Sequence, residues 1–321
     1  MKFICTLFLS LLSLLVFSQT DSTKVAFVSY WSVGDSYDFK ITKIIKKWDK
    51  DNQLKEENQS YMANFTVIDS TADSYTIRWS YENQLKDTYQ IPDELAEKFS
   101  KYSVTEIIYK TSEVGDFVEV VNWKEISKTM KDMFNDLISV LGKDNKKLKK
   151  QLEETLQPMQ EMYSSKEGVE GIILKELQYF HYPMGVEFDY AEPFLYEDEL
   201  PNLLGGEPIK GKGKLTFSSV DHEEGFCIMK QELNLDPEDT NRLIRDVFKR
   251  MKIENDQADK MLQKAIFTIN DNNVFEYYFN PGIPHRIETL RELNIDINDT
   301  KMKRTEQLII ELQYEEEEES E

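Results

Sequence analysis

The chain has 321 residues, 40% of them apolar, with 60 acidic against 39 basic side chains and a formal net charge of −21 at pH 7. That is enough apolar material for one large domain or two ordinary ones. The acidic excess opposes binding to nucleic-acid phosphates or anionic lipid surfaces and suits cationic partners or divalent metals.

Residues 1–18 read as a secretory signal peptide: Lys2, an apolar run from Phe3 to Val16, then Val16-Phe17-Ser18 before Gln19. The run is too short for a permanent membrane span. Cleavage after Ser18 removes Cys5 and leaves Cys227 as the one remaining thiol, so no intramolecular disulfide is expected. Cys5 lies far from the cleavage position, which argues against a lipid anchor.

Downstream, Val25–Trp31 predicts a first strand and Gly34-Asp35-Ser36 a turn. Tyr37, Phe39 and Ile41 alternate with polar residues, the period of a half-buried strand. Asp49–Ser60 reads as a charged loop. Alternation returns in Tyr61–Val67 and Tyr75–Tyr81, which should form a hairpin. Pro92 with Asp93 and Glu94 marks a helix start, and Thr105–Lys110 and Phe117–Val121 two strands joined at Gly115-Asp116. Helical spacing follows in three stretches: Ile126–Leu141 ending at Gly142, Leu148–Met159 with Pro158 as a kink or end, and Val169–Phe180. Strand signals resume at Val186–Tyr190, Gly213–Ser219 and Phe226–Leu235. Asp236-Pro237-Glu238-Asp239 is a helix cap, with Leu243, Val247 and Met251 as the apolar face. Ala265–Ile269, Val274–Phe279, Arg286–Leu293 and Leu308–Tyr314 complete the strands, and Glu315–Glu321 is a tail of six glutamates around Ser320.

The two strand regions share an order of elements. Asn64–Asp69 parallels Thr216–Asp221; each precedes an aromatic strand, a Pro-started helix at Pro92 or Pro237, and strands meeting at Gly115 or Gly282. The expectation is an α+β fold of two curved antiparallel β-sheets or half-barrels related by duplication, with a central helical segment. The divisions are a signal peptide at 1–18, a first β-rich half at 19–122, helices at 123–185, a second β-rich half at 186–314 and an acidic tail at 315–321.

The Phe17-Ser18-Gln19 end of the leader, in a chain rich in Lys, Asn, Ile and Asp, resembles exported proteins of Bacteroidota. That resemblance implies an address, periplasmic or extracellular, and no activity. The order of elements is similar in general form to periplasmic lipoprotein carriers and related half-barrel lipid binders. Those carriers begin with a helix packed into the sheet, whereas this chain begins with strands.

No residue pattern forces a chemistry. Gly34-Asp35-Ser36 is similar to the start of a family of serine esterases, whose base follows late as Asp-x-x-His. Here His285 follows Gly282-Ile283-Pro284, and Asp221-His222 has the wrong spacing, so the segment reads as a turn. His181, His222 and His285 lie in separate elements without metal-ligand spacing. Cys227 sits in an apolar strand and reads as a buried thiol. Asp49–Asn52, Asn270–Asn273 and Asn294–Asp299 offer oxygens without the pattern of a calcium loop and read as turns. Tyr75–Tyr81 reads as core rather than a sugar platform, and Gly211 and Gly213 between lysines as part of a hairpin, not a phosphate loop. No catalytic, cofactor-binding or metal residue is therefore assigned. The expected function is an exported non-catalytic binding protein, holding an apolar ligand or another envelope protein in a β-rich cavity or on a sheet face. The alternatives are a carboxylate-dependent hydrolase of envelope or dietary polymers and a structural protein without a pocket.

Overall fold

The computed structural model describes residues 23–81, 99–102, 104–173, 175–200, 207–250, 265–297 and 300–314. The leader, the helix start at Pro92 and the acidic tail lie outside them. The fold is α+β and mostly antiparallel. Its strands are β1 (Lys24–Ala26), β2 (Ser36–Asp49), β3 (Asn52–Ser70), β4 (Ser74–Tyr81), β5 (Glu106–Ser112), β6 (Phe117–Val120), β7 (Glu187–Asp189), β8 (Phe194–Leu200), β9 (Ile209–Asp221), β10 (Phe226–Leu235), β11 (Ile266–Tyr278), β12 (Ile283–Ile297) and β13 (Thr300–Gln313). The helices are α1 (Trp123–Leu141), α2 (Lys146–Met162), α3 (Lys166–Ile173), α4 (Lys175–Phe180) and α5 (Pro237–Arg250).

β1 pairs with β7, and the other eleven strands form one sheet in the order β6-β5-β4-β3-β2-β13-β12-β11-β10-β9-β8. The two strand regions thus share a single sheet, joined where β2 pairs with β13. Each region meanders by hairpins, because antiparallel neighbours need only short connections.

The sheet is strongly curled. The turn joining β5 to β6 and the turn joining β11 to β12 lie six strand positions apart in the sheet order. Laid flat, that is roughly 29 Å at normal strand spacing. Yet a Cβ added to Gly115 would lie 2.4 Å from Met184 Cε, and one added to Gly282 would lie 3.0 Å from the same atom. Residues 27–31 bridge the two turns: Ser29 N–H donates to Val114 O at 3.2 Å and Tyr30 N–H to Pro281 O at 3.0 Å. This explains why Val25–Trp31 is strand only over Lys24–Ala26. Its later residues spend their hydrogen bonds on the turns and on Val186, not on a ladder.

The inner face carries the apolar alternation: Phe39, Ile41, Phe65, Ile77, Phe275 and Ile287 are fully buried. The end of α4 fills it. Phe180 stacks on Phe65 at 5.3 Å with an interplanar angle of 14° and meets Phe39 edge-on at 5.3 Å. Phe27 packs edge-on against Tyr277 at 5.5 Å. Helix α1 turns Ile126, Met130, Met133, Phe134 and Ile138 inward. Helix α2 buries none of its residues fully and continues past Pro158 to Met162; its predicted apolar stripe is a half-buried face, with Leu148 exposed.

Four further expectations need correction. Asp49–Ser60 is not a loop: β2 and β3 turn at Lys50 (φ 54°) and pair from Asn52 onward. Charged side chains on both faces hide this pairing from a hydropathy reading, and cross-strand pairs such as Lys46–Glu56 at 3.5 Å accompany it. Asn270–Asn273 is not a turn but the middle of β11, and Asn294–Ile297, the described part of Asn294–Asp299, is not a turn but the end of β12. β8, an edge strand rich in acids, had no apolar alternation strong enough to predict it.

Candidate functional site

Buried polar side chains interrupt the inner face. In register across β10, β11 and β12, Gln231, Asn273 and Thr289 are buried, and one row further, across β11, β12 and β13, Asp271 is buried beside Arg291 and Glu306. Polar groups taken from water need partners, and most here have them. Arg291 Nε and Nη2 donate to Asp271 Oδ1 and Oδ2 at 2.7 and 2.6 Å, a bidentate pair. The hydrogen bond to Asp271 raises the Arg291 pKa against the opposing effect of burial. Burial pushes the Glu306 carboxyl up, but Lys175, Arg304 and Arg291 outweigh it and hold it below its ordinary value.

The belt reaches the sheet edge through Tyr196 of β8. Gln231 Nε2 donates to Tyr196 Oη at 2.6 Å, Tyr182 Oη donates to it at 3.2 Å, and Asn273 Nδ2 donates to Gln231 Oε1 at 2.6 Å. The Tyr196 ring lies where a side chain on Gly213 would be: a Cβ there would sit 2.0 Å from Tyr196 Cζ. Gly213 is therefore the strand position over which the edge tyrosine lies flat, not a phosphate-loop glycine. Gly211, two residues back, leaves room for Leu233 and Leu235.

Behind this clamp, β8, β9, β10 and β11 form a pocket of about 700 Å³ near the start of α5. Its lining includes Glu197, Asp198 and Glu199 of β8, Lys210 and Lys212 of β9, Asn234 of β10, and Thr268 and Asn270 of β11. Strand alternation places Glu197, Glu199, Lys210, Lys212, Asn234, Thr268 and Asn270 on the outer face, opposite Leu233 and Asp271. Leu235 and Pro237, where β10 runs into α5, also line the pocket. Cross-strand register aligns Glu197 with Lys212, Lys212 with Asn234, and Asn234 with Asn270. Helix α5 supports the floor from the inner side: Asp236 Oδ1 accepts from Glu238 and Asp239 N–H at 2.9 and 3.0 Å, and Asp239 Oδ2 accepts from Lys210 N–H at 3.0 Å. This is the cap that the Asp-Pro-Glu-Asp run predicts. The hydrogen bond from Lys210 N–H, helped by Arg242, holds the Asp239 carboxyl below its ordinary value.

The pocket sets ammonium and amide donors beside carboxylate acceptors on a rigid sheet. Among the described residues, the side chains of Lys210, Lys212, Glu197, Asn234 and Asn270 engage in no hydrogen bond or ion pair. Their capacity is open to a ligand.

The other residues singled out in the sequence lie elsewhere. Ser36 opens β2 and accepts from Asn64 Nδ2 at 2.9 Å. His181 is buried between Tyr109 and Gly115, His222 lies by Tyr190, and His285 by Tyr314; the three do not meet. Cys227 is buried, and burial pushes its thiol up to about 12. Ile77 and Trp79 of the aromatic stretch are core. Asn270 alone, of the Asn270–Asn273 run, reaches the pocket; Asp271 and Asn273 join the belt. Sequence reasoning missed β8 and its acids, whose only signal was the lysine-alternating strand opposite them.

No protein-family model matches this sequence, and no curated protein is significantly similar to it.

Proposed function

We propose that the chain is an exported binding protein and that the pocket beside β8 is its ligand site. The observation that carries this reading is a pocket of about 700 Å³ whose lysine, asparagine and glutamate side chains are unengaged among the described residues. That volume matches small-molecule sites. The mixed lining favours a small polar ligand with groups of both charge signs over an apolar one. The inner face, where an apolar ligand would sit, is filled by Phe180, Phe27 and their neighbours. Export rests on the leader at residues 1–18, in the style of Bacteroidota proteins, with Gln19 as the mature start. We also read the chain as a duplication. β3-β4-β5-β6 and β9-β10-β11-β12 run the same way through the sheet order, six positions apart, which supports the repeat seen in the sequence.

The pocket is tested by thermal shift with a panel of free amino acids, dipeptides, amino sugars and inorganic phosphate. A zwitterionic probe should raise Tm, and Lys212→Met with Asn270→Leu should abolish the rise while keeping the unliganded Tm. No shift from any zwitterion, or a shift retained in the double variant, would count against the site.

A further inference from the structure

We infer that the edge of β8, which has no ladder partner beyond β9 among the described residues, is a docking surface for an extended polypeptide segment with basic side chains at alternate positions. The two ends of the large sheet differ. At β6 the edge is closed by α3: Val120 N–H donates to Glu170 Oε1 at 2.9 Å, and Lys166 pairs with Glu119. β8 pairs with β9 on one side and ends the sheet order. Asp198 Oδ1 accepts from Glu199 N–H at 2.8 Å, so that amide is turned away from the β9 ladder. Antiparallel alternation then turns the N–H and C=O groups of Leu195 and Glu197 outward as well. Such edge groups template the addition of another strand. The edge is also held in place, because Tyr196 is tied to Gln231 and Tyr182. Leu195, 71% exposed, supplies an apolar contact on the same stretch.

Charge identifies the occupant. On the outer face, successive strands place opposite charges in register: Lys40 of β2, Glu311 of β13, Arg286 of β12 and Glu276 of β11. Lys46 likewise faces Glu56. At the far end Lys212 faces Glu197 and Lys210 faces Glu199, so both rows finish on an acid. Opposite charges directly across a ladder stabilise it and like charges weaken it. The next side chain in each row is therefore basic. A second copy of this chain does not fit. Antiparallel self-pairing centred on Glu197 would set Glu197 against Glu197 in a molecule already carrying a net −21. Glu197 and Glu199 also line the pocket, whereas the outward backbone groups of Leu195 and Glu197 lie along the strand edge, so an N-methylated peptide reads strand addition separately from the ligand proposed above.

The test is fluorescence anisotropy of mature full-length protein with three labelled, acetylated peptides at physiological ionic strength. One alternates valine and lysine, one alternates valine and glutamate, and one is the lysine peptide N-methylated on alternate amides. The lysine peptide should bind, with each of the others about tenfold weaker or worse, the loss expected when two backbone hydrogen bonds or the charge match are removed. Glu197→Lys with Glu199→Lys should reverse the preference between lysine and glutamate peptides. Equal binding of the methylated and unmodified lysine peptides would reduce the effect to general charge attraction and overturn strand addition. An unchanged preference in the double variant would overturn the assignment to β8. The peptide comparisons use the unaltered protein, so they hold even where the double variant folds poorly.

Discussion

Acid should weaken this fold through His181, and the size of the effect follows from its surroundings. The imidazole is buried, with Nδ1 2.8 Å from Gly115 O and Nε2 2.8 Å from Tyr109 Oη. The carbonyl only accepts, so Nδ1 carries the proton and Nε2 takes the Tyr109 hydroxyl proton. The ring's other neighbours are Phe180, Tyr109 and Trp31, with centroids at 5.0, 5.3 and 6.1 Å. Nothing there compensates a second proton. Burial lowers the pKa from 6.5 to about 4, against the smaller upward effect of the Gly115 carbonyl. A folded-state pKa below the unfolded one means that the unfolded chain binds the extra proton first. The stability is fully present above pH 6.5 and is lost as pH falls toward 4. Linkage gives a loss of about 2 kcal/mol at pH 5 and about 3 kcal/mol at pH 4. Nearby Asp116 acts in the opposite sense, since burial raises its carboxyl against the Ser112 hydrogen bond, but it is only half-buried and solvent screening reduces its contribution. Urea unfolding of wild type and His181→Gln at a series of pH values isolates the histidine, because the rest of the charge is common to both. The variant should be less stable at pH 7.5 and show a shallower decline. Parallel curves, differing by less than about 1 kcal/mol in the acid loss, would refute the argument.

Gly213→Ala should destabilise by about 1–3 kcal/mol, because the new methyl meets the Tyr196 ring and displaces it from Gln231; an unchanged urea midpoint would contradict that packing. Asp271→Asn should cost about 2 kcal/mol by leaving Arg291 without its carboxylate, less than for a wholly dry pair because the Arg291 side chain is 35% exposed. The double change Asp271→Leu with Arg291→Met should recover most of that loss, and a larger loss in the double variant would argue against it. Cys227→Ala should cost about 1–2 kcal/mol, and the native thiol should resist labelling until the protein unfolds; rapid labelling of folded protein would show the site to be open.

What could be read from the chain and what could not divide along a physical line. Phe39, Ile41, Phe65, Ile77 and Trp79 were legible because each lies on a face where apolar and polar residues alternate, and the inner face needs that alternation to bury them. The Asp-Pro start of α5 was legible because capping is local. Curvature was expected of each half separately, but the joining of both into one curled sheet was not legible, since it depends on Met184 and Ser29 fitting between two glycine turns far apart in sequence. The pocket and belt were hidden for a related reason. Asp-Asn-Asn in isolation favours a turn, and it becomes strand only when Arg291 and Gln231 arrive from neighbouring strands to pair with Asp271 and with the Asn273 amide N–H. Local propensity loses to a partner supplied by tertiary structure. The same holds for β8, whose Glu-Asp-Glu run reads as loop until Lys210 and Lys212 are placed opposite it. Of the polar stretches that local pattern did not reveal, Asn52–Ser60 lies in mid-sheet, while β8 and the middle of β11 flank or approach the end where the open pocket and the open edge both lie. Residues that violate the hydropathy pattern must be held by something else, so such sites concentrate the interactions that burial alone does not dictate.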